Sequence, residues 1–282
     1  MAIRVMTDSA ADFTREELAS YGVRAVALQT IFGEETFLAG ETLDRDVFWA
    51  RLTSGENPKT SQPSPESFLK AFEEAKAAGD EVVYISISSG ISGTMQSAML
   101  ARSMADYEPI YIVDSNTATA AQKILVLIAC RLRDEGKLTA AQIAEEIDAI
   151  KGRAHVFAGV DTLEYLARGG RISKAAASIG TLAQLKPLVY MSEEGKVEVF
   201  AKAIGRHRAI DTMSKKIESL QVDPDYPIIP IYSYNTENAE AFLKKLDKMG
   251  IPFNKEMMTE LGATIAAHIG TNLYGLCFIR KA

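Results

Sequence analysis

Cysteine is nearly missing from this chain: two in 282 residues, Cys130 and Cys277, far apart and each in apolar surroundings. That excludes a disulfide framework and predicts two reduced, structural thiols in a cytoplasmic protein. Histidine is almost as scarce. His155, His207 and His268 are mutually distant, and none has a ligand-spaced Cys, His or Asp beside it, which argues against a metal centre. Long apolar runs are missing too. Ile124-Leu-Val-Leu-Ile-Ala-Cys130 is cut off by Arg131 and reads as a buried helix, too short to span a membrane. The opening Met1-Ala-Ile-Arg-Val-Met6 turns polar too quickly for a signal peptide. Excess positive charge is absent as well: the net charge is −6, against broad nucleic-acid binding. There is no Walker-type loop and no dinucleotide fingerprint after a strand.

What is present is an ordinary globular composition, 47% apolar and 24% charged, long enough for two domains or one large α/β domain. Strand signals at residues 3–6, 23–31, 82–87, 110–113 and 155–160 alternate with helix signals at 14–20, 44–52, 65–78, 94–104, 117–134 and 139–150. This alternation predicts a parallel α/β sheet. Ser64 and Pro65 mark one helix start and Thr139 another. Beyond residue 160 the texture changes. A short helix around 163–166 is followed by a small-residue helix over 173–185. A hairpin at 187–192 and 196–202 comes next, then helices at 209–220, 237–249 and 262–268 with strands at 228–233 and 276–280. The expected division is a parallel-sheet domain over 1–160 and a mixed α/β domain over 161–282.

The most informative stretch is Glu81-Val-Val-Tyr-Ile-Ser-Ile87, which runs into Ser88-Ser-Gly-Ile-Ser-Gly-Thr94 and then a helix. Small hydroxyl residues and glycines at a helix start form a compact anion receptor, because the first N–H groups lack partners and the helix dipole is positive there. Gly90-Ile91-Ser92-Gly93-Thr94 narrowly misses the nucleophile elbow of α/β-hydrolases, with Thr94 where a glycine is needed. Asp8 with Ser9, and Asp114 with Ser115, follow strands and are read as tying down their turns.

Several dispersed segments together resemble the DegV family, whose best-characterised members are the fatty-acid-binding subunits of bacterial fatty acid kinase. They are Thr7-Asp8-Ser9 with Asp12; Thr60-Ser-Gln-Pro-Ser64; Ser88 to Thr94 with Gln96-Ser-Ala98; Val113-Asp114-Ser115; Leu163-Glu-Tyr-Leu166 through Gly169-Gly-Arg-Ile172; Lys186-Pro187; and His268-Ile-Gly270. The resemblance implies a two-domain fold with an apolar tunnel at the domain interface holding one long-chain fatty acid, of C14–C18. It implies that Thr60, Ser92 and His268 meet the carboxylate, with Ser61, Gly93 and Thr94 supporting the head-group site. It further implies a non-catalytic carrier without a cofactor, whose bound acid a separate kinase subunit converts to an acyl phosphate. Transient membrane contact is compatible with that role. The chain departs from the family pattern at Thr271-Asn272, where Pro-Gly is usual, at Ala120-Ala-Gln122, and over residues 29–40.

Burying about fifteen methylenes contributes on the order of 12 kcal/mol before association costs. A hydrogen bond to a charged carboxylate adds roughly 1.5–3 kcal/mol. The tail therefore supplies affinity and the head group orientation. Residues 175–185 and 265–269 are the expected tunnel walls. Lys151, Arg153, Arg168, Arg171, Lys174, Lys202, Arg206 and Arg208 concentrate positive charge in an otherwise acidic chain. The expected docking surface for an acidic kinase subunit draws on Arg168, Arg171, Lys174, Lys202 and Arg206. The competing reading is a hydrolase or phosphoryl-transfer enzyme with Ser92 as nucleophile and His268 as base.

Overall fold

The strands of the first half pair as their alternation with helices requires. In the computed structural model, which describes residues 1–173 and 184–282, β1 (Ile3–Asp8), β2 (Val23–Val26), β6 (Glu81–Ser86) and β7 (Ile110–Asp114) form a parallel sheet in the order β2-β1-β6-β7. Its central strands are buried on both faces, as parallel strands flanked by helices must be. Met6, Val82 and Tyr84 face Phe68, Phe72 and Ala98 of α3 (Pro65–Ala78) and α4 (Thr94–Ala105). Val5, Val83 and Ile85 face the opposite way, toward α5 (Thr119–Glu135) and α6 (Ala140–Ile150). The side chains change face at every residue, the two-residue period of a strand. Thr139 caps α6 in a reciprocal box with Gln142, while Ser64 stands at the N-cap of α3 without a side-chain cap bond.

A second sheet has the order β10-β9-β8-β13-β11-β12: β8 (Ala154–Gly159), β9 (Leu185–Met191), β10 (Val197–Ile204), β11 (Ile229–Tyr232), β12 (Thr259–Glu260) and β13 (Tyr274–Ile279). It is mixed, antiparallel except where β11 meets β12. One face is covered by α8 (Arg206–Leu220) and α9 (Glu237–Lys248), through Met213, Ile217, Phe242 and Leu246. The other face meets α5, which also packs on β1 and β6. A helix between two sheets must be apolar almost all round, which accounts for the run from Ile124 through Cys130, buried except at half-buried Leu127. Burial raises both thiols, Cys130 to about 11, so both stay protonated and inert at neutral pH.

Three features differ from the sequence expectations. The strand expected at 155–160 to close the first half is β8, a central strand of the second sheet bonded to β13 and β9, so sheet membership changes at Ala154. The single strand expected over 23–31 is two, β2 and β3 (Gln29–Phe32), because Leu28 gives its N–H to Ser9 Oγ at 3.0 Å instead of continuing a ladder. β3 pairs with β4 (Glu35–Leu38) and β5 (Lys59–Ser61) in a small antiparallel sheet that no hydrophobic pattern announces. The small-residue helix expected over 173–185 falls, from 174 to 183, outside the described residues.

The two halves clasp at the β9–β10 turn. Ser88 Oγ donates to Gly195 O at 2.7 Å and Asn116 Nδ2 to Glu193 O at 3.3 Å. A Cβ on Gly90 would stand 2.6 Å from Gly195 O, and Gly195 itself has φ +69°. Asn272, where the resemblance leads one to expect glycine, has a left-handed backbone at φ +67°, which asparagine tolerates. Its side chain donates to Asp161 at 2.8 Å and accepts from Asn235.

Candidate functional site

Thr60 lies on β5, a strand held to β3 by the Thr30–Thr60 pair. Ser92 sits in the turn between β6 and α4, where its amide donates to Ser88 O at 3.2 Å. His268 is carried on the last turn of α10 (Ala263–Ile269). Residues more than 200 positions apart meet here: Thr60 Oγ1 and His268 Nε2 are 2.7 Å apart. All three residues line one cavity that is partly open to solvent; the space free of protein atoms between its walls is about 770 Å³ with the solvent at its mouth included. Its other walls are mainly aliphatic, including Val156 and Ala158 of β8, Val189 and Met191 of β9, and Ile231 of β11. Ile265 and Ile269 line it as expected from sequence; the expected contribution of 175–183 lies outside the described residues.

Ser61, Gly93 and Thr94 are not among the lining residues and stand behind them. Thr94 is buried, with its hydroxyl 2.7 Å from Ser92 Oγ, and its amide donates to Ser92 Oγ at 3.3 Å. Gly93 lies against the side chain of Gln62, which in turn donates to Ser97 Oγ at 2.9 Å. Ser61 Oγ donates to the neighbouring Gln62 carbonyl at 3.4 Å. Arg171, which the sequence placed on an outer docking face, lines the cavity: its Nε donates to Ile91 O at 3.1 Å and another guanidinium nitrogen bonds Gly169 O. Nothing in its sequence neighbourhood separates that inward role from an exposed one. Arg168 donates to Asn57 and lies over the Tyr165 ring, and Arg206 pairs with Glu237 at 2.6 Å. Lys202 borders an outer groove together with Arg171 and Lys196, and Lys174 lies outside the described residues.

His268 is the electrostatic centre of the site. Burial, and then the nearby Arg171 charge, pull its pKa down to about 4, so the ring is neutral at neutral pH. Its Nδ1 is buried with no hydrogen-bond partner among the described residues. A hydrolase would need His268 bonded to Ser92 and oriented by an acid. Here its ring is bonded to Thr60, and among the described residues no acid holds the other nitrogen.

The ring's low pKa has a consequence for stability. An unfolded histidine takes a proton below about 6.5, whereas folded His268 does so only near 4, so its contribution to stability is lost as pH falls through that window. Buried Asp8 and Asp12 run the other way. Burial raises both from 3.8 to about 6, so the folded form holds protons that the unfolded chain has released, and stability rises as pH falls from 6 toward 4. His268→Gln is therefore expected to gain on the wild type between pH 7 and pH 5, read as a narrowing difference in Tm. A constant difference would contradict the assignment.

The family model described as "Uncharacterised protein, DegV family" matches residues 2–281. The chain belongs to the DegV family. The DegV domain-containing protein YteA of Lactococcus lactis is 34% identical over 290 residues, covering 100% of this chain and 99% of that protein. Protein DegV of Bacillus subtilis is 32% identical, with full coverage of both. Among solved structures, a DegV protein of Thermus thermophilus described by its fatty acid binding superposes with a TM-score of 0.88 at 31% identity over both whole chains. A stearic acid-binding protein of Eubacterium ventriosum gives 0.88 at 28% identity, covering 100% of this chain and 99% of that one. The DegV fold is thus shared along the full chain. No helix among the described residues is long and apolar enough to cross a membrane.

Proposed function

We propose that this chain holds one long-chain fatty acid in the cavity, carboxylate at Thr60, Ser92 and His268, and presents it to a separate kinase subunit. The observation that carries the reading is the convergence of those three polar side chains on a cavity walled otherwise mainly by aliphatic ones. The fatty-acid-binding relatives with the same fold support the ligand class. With Nε2–H of His268 donating to Thr60 Oγ1, the threonine hydroxyl is free to donate to a carboxylate oxygen. Ser92 supplies a second hydroxyl, and Arg171 adds positive charge beside the histidine. The tail contributes most of the affinity and the polar groups fix which oxygen faces outward.

Phosphorylation of that oxygen by ATP is the partner's chemistry, and it places the carrier in the cytoplasm. Lys202 on the outer groove and Arg168 over the Tyr165 ring are the docking groups this reading retains from the expected basic surface, Arg171 being turned into the cavity. Native mass spectrometry of gently purified protein is expected to show one bound C14–C18 acid. Ser92→Ala should weaken binding by about tenfold, the loss of one hydrogen bond to a charged group. A chain that carries no lipid under any expression condition and ignores added palmitate would sink the proposal.

A further inference from the structure

The turn from Asp8 to Asp12 lies outside the head-group site, yet it holds the cavity from behind. Asp8 Oδ2 accepts from Ile87 N at 2.8 Å and from Tyr84 Oη at 2.9 Å. Ser9 Oγ accepts from Leu28 N at 3.0 Å and lies 3.3 Å from Thr264 Oγ1. Ile87, Leu28 and Thr264 all line the cavity. Asp12 reaches furthest. One oxygen accepts from Thr119 Oγ1 at 2.6 Å, and Thr119 is a cavity residue at the start of α5. The other accepts at 2.9 Å from the amide of Gly262, the N-cap of α10, the helix that ends with His268.

Asp12 is 3% exposed, and it bridges the first half of the chain to the second. A helix cap alone is served equally well by Asn or Ser, which carry no charge to desolvate. Two donors on two separate elements are better served by a carboxylate, whose oxygens both accept. Thr119, at φ +53°, turns its hydroxyl to Asp12, so the wall it forms is left without a free donor. Lys123 and Arg45 are the cations near the carboxylate.

We propose that Asp12 is a positioning residue: by joining Gly262 to Thr119 it sets the helix bearing His268 against the cavity wall and so fixes the geometry that selects a carboxylate. The inference rests on the head-group reading above. Asp12 has φ +55°, so Asp12→Gly removes the carboxylate without backbone strain, and Asp12→Asn restores an acceptor for Gly262 in a residue that tolerates this conformation.

The measurement is the ratio of affinities for hexadecanoic acid and hexadecan-1-ol, by displacement of a fluorescent fatty acid from the full chain. The wild type should prefer the acid, His268→Ala should lose most of that preference, and Asp12→Gly should lower the ratio by about tenfold. Asp12→Asn should stay within about threefold of wild type, since it keeps a neutral hydrogen bond. No preference in the wild type, or none lost in His268→Ala, overturns the head-group reading itself. A preference lost in His268→Ala but kept in folded Asp12→Gly overturns the role of Asp12 alone. If Asp12→Gly does not fold, Asp12→Ser, whose one short hydroxyl cannot serve both donors, is held to the same criterion.

Discussion

Gly169→Ala is expected to cost the protein most of its affinity for fatty acid while leaving it folded. The backbone at Gly169 is right-handed, φ −73° and ψ −12°, so alanine fits it without strain. The difficulty is a neighbour. An ideal Cβ there would stand 2.1 Å from His268 Nδ1 and 2.7 Å from Cε1, far inside contact distance. The imidazole has to swing away, and with it goes the 2.7 Å contact to Thr60. Loss of one or two hydrogen bonds to a charged head group corresponds to roughly 1.5–3 kcal/mol each, or about tenfold or more in Kd. Gly270→Ala is the informative contrast. Its φ of +76° and a Cβ position 2.3 Å from the Tyr165 ring strain the backbone itself, so Tm should fall as well. Titration with a fluorescent fatty acid, alongside thermal unfolding, separates the two; unchanged affinity in Gly169→Ala would show that the ring does not act on the ligand.

Glu17→Gln should be the most destabilising conservative change on the N-terminal side. Lys123 is 1% exposed, on the helix between the two sheets, and its ammonium lies 2.9 Å from Glu17 and 4.9 Å from the Phe13 ring centroid. Removing the carboxylate charge leaves a buried cation with a hydroxyl, Thr259 Oγ1 at 3.3 Å, an aromatic face, and the nearby Asp12 carboxylate as its remaining counter-charge. Breaking a buried pair in this way costs about 3–5 kcal/mol, and the low end applies because Glu17 keeps contact with water. Glutamine preserves the capping role, since Glu17 accepts from Thr14 N at 2.7 Å and Gln does the same at that position. The loss then reports the ion pair and not the helix start. Lys123→Met removes the buried charge itself and is expected to cost less. Denaturant unfolding of both variants decides it, and equal losses would contradict the argument.

The site was legible where chemistry is local and illegible where it depends on pairing. Ser88 through Thr94 announced itself because hydroxyls and glycines at a helix start have few other uses, and His268 and Thr60 joined it through the family resemblance. Thr60 alone carried no signal. Its strand is three residues long, in a sheet whose partners offer little apolar alternation, and only tertiary pairing makes it a strand. β8 is legible as a strand but not as a member of the second sheet, because its neighbour β13 lies about 120 residues on and nothing in Ala154–Gly159 encodes that partner. By composition Arg171 reads as surface charge; its inward bonds to Ile91 and Gly169 carbonyls follow from the turn after α7 (Glu164–Arg168), which no composition rule describes. Asn272 departs from the family pattern, yet its left-handed backbone is one that asparagine, like glycine, adopts readily.

The clasp between Gly90 and the Gly195 carbonyl bears on how this protein can be recombined with its relatives. The contact leaves no space for a methyl group on one side and demands a left-handed residue on the other. A chimera that takes one half from each of two parents inherits the two surfaces from different histories. It will close only where the incoming turn delivers its carbonyl to the same spot, so crossovers on either side of both glycines should succeed far more often than a cut between them.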